Sequence, residues 1–257
     1  MKIGAQLYTV HRSTKTLEGL SEALKKIADI GYTTVQVSGT CAYEADWLKA
    51  ELDKNGLSCV LTHIKPQEIL DDPVQVCRNH DIFDCKHIGI GAMPRKEGNS
   101  GIDDECYDTF VKNFLPVAKI FRQEGHKLFY HNHQIEFARS ANGMLYFDRM
   151  LEDFSPELLG ITYDTYWAQI GGVEPSEYLK KLVGRVECIH LKDLAIVEKE
   201  QRMAPVGQGN LNFEKILKVA ESVGVEYLLV EQDNCYDKDP FDCLKESYQY
   251  LTSFGLQ

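Results

Sequence analysis

No run of about eighteen consecutive apolar residues occurs in this 257-residue sequence, and Lys2 leads straight into an alternating segment with no signal-like hydrophobic stretch. A membrane span is therefore not expected, and the cytoplasm is the expected location. Positive charge is also scarce: 28 Lys and Arg stand against 39 Asp and Glu, leaving a net charge of -11 with no basic block to offset it. Such a surface repels phosphate backbones and anionic lipid, so neither nucleic acid nor membrane is the expected partner. A small neutral molecule suits it better. The eight cysteines include no C-x-x-C pair, and the chain is far longer than a disulfide scaffold, so reduced and mostly buried thiols are expected. With 44% hydrophobic and 26% charged residues, a sizeable core is available.

Linkers and low-complexity segments are missing as well. Apolar periodicity instead gives eight repeats of a short strand followed by an amphipathic segment. Strands are expected at 3–10, 34–37, 58–63, 87–91, 127–133, 159–164, 186–191 and 227–232. Helices fit between them at 17–30, 44–55, 104–124, 146–154, 175–183, 213–223 and 241–254, with a weaker one at 70–83. Pro116 should kink or divide the longest. Eight such units in one continuous domain, residues 1–257, point to a closed α/β architecture, the (β/α)8 or TIM barrel. An open doubly wound sheet is the rival, but Gln6-Leu7-Tyr8-Thr9 stands where a G-x-G-x-x-G would hold a dinucleotide phosphate.

In a barrel, the C-terminal strand ends converge on one face. Ligand-type side chains gather at those ends. Tyr130-His131-Asn132-His133-Gln134-Ile135-Glu136-Phe137 closes the fifth strand, Asp164 the sixth, His190 lies on the seventh and Glu231 on the eighth. Glu136, Asp164, His190 and Glu231 would supply three carboxylates and one imidazole, a donor set suited to manganese, magnesium, cobalt or zinc and without the thiolates of a structural zinc site. A divalent ion there can stabilise the enediolate formed when a proton leaves the carbon beside a carbonyl, with two carboxylates moving the proton. Blander roles stand beside these. Asp164 also suits a cap for the following turn, His190 a hydrogen-bonded histidine at the barrel mouth, and Lys192 a local pair with Asp193. His131 and His133 share a face if the strand runs through both, where they would meet substrate or orient the carboxylates. Asn132 would point the other way. Gln6, Tyr8, His63, Lys65 and Trp167 are candidates to line a sugar pocket, and residues 198–212, with Arg202 and Gly207-Gln208-Gly209, read as a long loop able to close over it.

As an ordered set, Ile3-Gly4-Ala5-Gln6-Leu7-Tyr8, the YHNHQIEF block, Tyr163-Asp164-Thr165-Tyr166-Trp167, His190-Leu191-Lys192-Asp193, Val206-Gly207-Gln208-Gly209 and Val230-Glu231-Gln232-Asp233 resemble the xylose isomerase-like superfamily nearly end to end. The likeness is specifically to its sugar phosphate isomerase/epimerase branch, which includes ketose 3-epimerases and inosose dehydratases. The resemblance implies a divalent ion on Glu136, Asp164, His190 and Glu231, with Glu136 and Glu231 as acid and base on opposite faces of the substrate. His131, His133, Gln6, Tyr8, His63, Trp167, Lys192 and Arg202 would bind substrate. Two departures stand out: Trp167 follows the aspartate where ketose 3-epimerases carry a histidine, and the YHNH block adds imidazoles able to displace or assist the first carboxylate.

The expected function is a divalent-metal-dependent isomerase or epimerase of a sugar or keto-sugar derivative. A lyase or dehydratase using the same proton abstraction is the alternative. Amidohydrolase-like metallohydrolases carry H-x-H on the first strand, where this chain has Gln6-Leu7-Tyr8, and endonucleases of the superfamily need a basic groove. A non-catalytic sugar-binding protein is a further reading, and assembly into a homo-oligomer is left open.

Overall fold

The computed structural model describes residues 1–95 and 100–256. Eight parallel strands close a barrel: β1 (Lys2–Gln6), β2 (Thr34–Val37), β3 (Ser58–His63), β4 (His87–Ile90), β5 (Lys127–His131), β6 (Leu159–Asp164), β7 (Cys188–Leu191) and, after a hairpin of β8 (Asp193–Val197) and β9 (Glu200–Ala204), β10 (Tyr227–Val230). Neighbours follow chain order around the barrel, and β10 returns to pair with β1. Apart from their first residues, these strands are buried along almost their whole length, because side chains face the barrel interior on one side and the helical ring on the other. The interior is filled: Phe129 lies across from Gly160, where an added Cβ would come within 2.4 Å of its ring.

The helical ring forms for local reasons. In α1 (Leu17–Ile30) Leu20, Ala23, Leu24 and Ile27 share the buried face, Thr16 caps the start, and Gly31 ends it at φ 123°. Helix α2 (Ala45–Asn55) stops at left-handed Gly56. The weak segment around Pro73 resolves into α3 (Pro66–Asp71) and α4 (Pro73–Ile82), with Pro73 in the first turn of α4 and Asp72 capping it. Helix α5 (Asp104–Gln123) runs undivided through Pro116. Pro116 and Lys112, whose carbonyl loses its partner, both lie on the exposed face, so water can take the missing bond. Next come α6 (Tyr146–Asp153), α7 (Thr165–Ile170), which periodicity did not reveal, α8 (Pro175–Leu179), α9 (Phe213–Ser222) and α10 (Pro240–Thr252). Six of the eight cysteines are buried.

Three differences from the sequence reading shape the site. Strand β1 ends at Gln6, whose side chain accepts the Tyr8 amide and turns the chain into a 3-10 helix, Leu7–Val10. Strand β5 ends at His131, and a second 3-10 helix, Gln134–Phe137, carries Glu136. Residues 198–204 of the expected 198–212 loop belong to the antiparallel β8–β9 hairpin, which turns at Glu198 with φ 57°.

Candidate active site

Asp164 and His190 are register partners on β6 and β7, so they stand side by side at one level of the barrel mouth. Each has one polar atom fixed and one turned inward. Asp164 Oδ1 accepts the Trp167 amide at 2.9 Å and caps α7, leaving Oδ2 to the site. Asn132 Oδ1 accepts the Asp164 amide at 2.9 Å and holds that corner in place. The Nε2 of His190 lies 2.6 Å from Gln36 Oε1; as donor to that amide oxygen it fixes the ring with Nδ1 turned inward. That Nδ1 is 2.9 Å from Glu231 Oε2 and 3.7 Å from Asp164 Oδ2. Gln6 Nε2 donates to Glu231 Oε1 at 3.2 Å. His131 Nδ1 lies 3.4 Å from the Thr162 carbonyl, which leaves Nε2 for the site.

His131, Asp164, His190 and Glu231 therefore form one buried group whose ligand atoms lie within 4.8 Å of one another. Among the described residues, Asp164 Oδ2, His190 Nδ1 and Glu231 Oε2 have no hydrogen bond of good geometry. The Lys192 ammonium, 3.1 Å from Asp164 Oδ2 and 2.8 Å from Glu231 Oε2, offsets part of the cost of burying these carboxylates, and the inward-turned ligand atoms are the ones a metal ion would use. Two imidazoles and two carboxylates without a thiolate fit a catalytic divalent ion.

Glu136 is not in this group. Its carboxylate accepts the Tyr130 hydroxyl at 2.6 Å and the His133 amide at 2.7 Å, and it is fully buried. Strand β5 stops at His131, and it is His131, not Glu136, whose ring nitrogen lies in the group with Asp164, His190 and Glu231. His133 begins the turn instead of continuing the strand, so the two histidines meet edge to face, with ring centroids 4.7 Å apart.

Electrostatics divide the site. Burial alone would raise the Glu231 carboxyl, but Lys192 and His190 outweigh it and hold it well below the usual range. For His190, burial is overcome by Glu231 and Asp164, which lift the imidazole to about 9. The other imidazoles go the opposite way: burial, reinforced by neighbouring positive groups, lowers His63 to about 3, His133 to about 4 and His131 well below its ordinary value. Burial lifts Glu136 to about 7, although the Tyr130 and His133 hydrogen bonds oppose it.

A cavity of about 410 Å³ opens above the group, lined by Gln6, Tyr8, Ser38, His63, Lys65, His131, His133, Lys192, Glu231 and Asp233, among others. Trp167 flanks it, 5.4 Å from the His133 ring and beneath the Lys192 ammonium. Arg202 does not line it; on β9 it stacks over Tyr236 at 5.0 Å and pairs with Glu200. Nor do Lys192 and Asp193 pair. Lys192 turns to Asp164, Glu231 and Asp233, while Asp193 accepts the amides of Leu194, Gly207, Gly209 and Leu211. Sequence reading missed Gln36 and Asp233. A glutamine inside the apolar strand Thr34–Val37 was the available signal for the first.

The chain belongs to the xylose isomerase-like TIM barrel family, which matches residues 24–253. It is 25% identical over 205 residues to an inosose dehydratase of Geobacillus kaustophilus, a match covering 70% of this chain and 65% of that protein, less than two thirds of its length. Among solved structures, a sugar phosphate isomerase/epimerase from Parabacteroides distasonis superposes with a TM-score of 0.79 at 21% identity, covering 98% of this chain and 93% of that one. A probable 3-DHS dehydratase from Bacillus anthracis superposes at 0.76 and 14% identity, covering 98% and 99%. Among the described residues no helix is long and apolar enough to cross a membrane.

Proposed function

We propose that the chain is a divalent-metal-dependent lyase that dehydrates a small polyhydroxy ketone, with Glu231 moving the proton. A metal ion held by His131, Asp164, His190 and Glu231 would supply Lewis-acid polarisation of the ketone oxygen and so acidify the adjacent C–H. Glu231, ionised and lining the cavity, takes that proton. Gln6 holds its Oε1 in place. The neutral imidazoles of His63 and His133, each with a buried ring nitrogen lacking a hydrogen-bond partner among the described residues, orient substrate hydroxyls. Loss of the neighbouring hydroxyl forms the double bond, and the proton gathered by Glu231 leaves with it as water. Atoms and electrons balance without an oxidant.

The observation that carries this reading is the asymmetry of the two glutamates. Epimerisation by proton exchange on opposite faces calls for two carboxylates at the substrate, and Glu136 is held by Tyr130 and His133 outside the cavity lining. Elimination can proceed with one. The name of the Geobacillus relative supports the same choice. The isomerase or epimerase reading is supported by the name of the Parabacteroides neighbour. Incubation of the manganese-loaded protein with 2-keto-inositol and with ketohexoses, followed by mass spectrometry, separates the two. Loss of one water is expected; an epimer or isomer of unchanged mass would overturn the lyase reading in favour of the isomerase.

A further inference from the structure

The Lys192 ammonium lies among three carboxylates, 2.8 Å from Glu231 Oε2, 3.1 Å from Asp164 Oδ2 and 3.0 Å from Asp233 Oδ1. The first two oxygens belong to the four-residue group that fits a divalent ion, and the third does not. Asp233 offers both of its oxygens, at 3.0 and 3.2 Å, and is the most exposed of the three carboxylates. Lys192 itself is 1% exposed, and its backbone is pinned: its amide donates to Thr165 Oγ1 at 3.1 Å, and its carbonyl accepts that hydroxyl at 2.9 Å. Only the flexible four-carbon stem is free to reposition the charge.

We propose that Lys192 and Asp233 form a switch that sets the affinity of the cation site, an inference that rests on the metal reading above. An ion bound by Asp164 and Glu231 shares two oxygens with the ammonium, and like charges that close repel strongly inside a protein. Binding therefore drives Lys192 off Asp164 and Glu231 and wholly onto Asp233. Asp233 is the receiving position, and the Trp167 face, 5.4 Å from the ammonium, supports the side chain there. The pair lowers the affinity of the site below what its four ligands alone would give.

Calorimetric titration of Mn²⁺ into the chelator-stripped full-length chain tests this. Lys192→Met is expected to bind the ion about tenfold to a hundredfold tighter, and Asp233→Asn about tenfold weaker, because the ammonium then has no carboxylate except the ligands. In the double variant the Asp233→Asn effect should vanish, giving the affinity of Lys192→Met alone. Circular dichroism checks the fold, and Lys192→Gln replaces the methionine variant if that one does not fold. Equal Mn²⁺ affinity with and without Lys192, or an Asp233→Asn loss that persists in the double variant, overturns the switch while leaving the metal site standing. Failure of the wild type and every variant to bind Mn²⁺ overturns the metal reading and the switch with it.

Discussion

Glu136 and Glu231 are both buried carboxylates, and their neighbours give them opposite characters. Tyr130 and the His133 amide tie down the first, whose pKa burial lifts to about 7; Lys192 and His190 keep the second ionised. Glu231→Gln should therefore lower turnover at least about a thousandfold, the scale of losing a general base, whereas Glu136→Gln should stay within about tenfold of wild type, both read from steady-state kinetics. Gln36 acts one step removed, through the 2.6 Å contact that fixes the His190 ring. Gln36→Leu should weaken metal binding about 10- to 100-fold in a calorimetric titration, the range found when a ligand's orienting partner is lost. At this scale the sequence was only partly legible. Asp164, His190 and Glu231 were readable because each ends or occupies an apolar strand, where a charged or imidazole side chain needs a reason. The choice between His131 and Glu136 turned on where one strand stops, and nothing in YHNHQIEF marks that point.

Between β3 and α4, His80 joins two elements. Its Nδ1 lies 2.7 Å from the Val76 carbonyl and its Nε2 2.8 Å from Thr62 Oγ1, which assigns a neutral ring that donates to one and accepts from the other. Burial lowers its pKa from the ordinary 6.5 to about 4. The unfolded chain takes up a proton near 6.5 and the native state does not, so the stability this ring contributes is complete above 6.5 and is lost as pH falls toward 4. The loss amounts to about 3 kcal/mol. Urea unfolding of wild type and His80→Gln across that window should show the steeper decline in wild type; parallel curves would remove His80 as the cause. The β8–β9 hairpin depends on Asp193 in a similar way, since that one carboxylate collects four backbone amides. Asp193→Ala should lower stability by about 3 kcal/mol and expose 193–211 to proteolysis. Gly209→Ala should act in the same direction, because its Cβ would meet Asp193 Oδ1 and the Leu194 carbonyl at 2.5 Å. The hairpin escaped sequence reading because its turn uses Glu198 in place of an Asn-Gly or Asp-Gly pair, and Glu200–Ala204 does not alternate.

At the scale of the molecule, the barrel was legible because parallel strands covered on both sides must read as short apolar runs, and each needs a helix to bring the chain back. That topology also told where to look, since all eight strands deliver their C-terminal ends to one mouth. It could not say which side chains meet there: Gln36 on β2 reaches His190 only because the barrel closes, and Asp233 reaches Lys192 only because β10 lies beside β7. Whether His131 or Glu136 completes the group decides which residues would hold the ion. Metal content measured by inductively coupled plasma mass spectrometry on wild type, His131→Ala and Glu136→Gln, each loaded with manganese and desalted, addresses it directly. Bound manganese should be present in wild type and Glu136→Gln and lost in His131→Ala. Retention in His131→Ala together with loss in Glu136→Gln would contradict the site described.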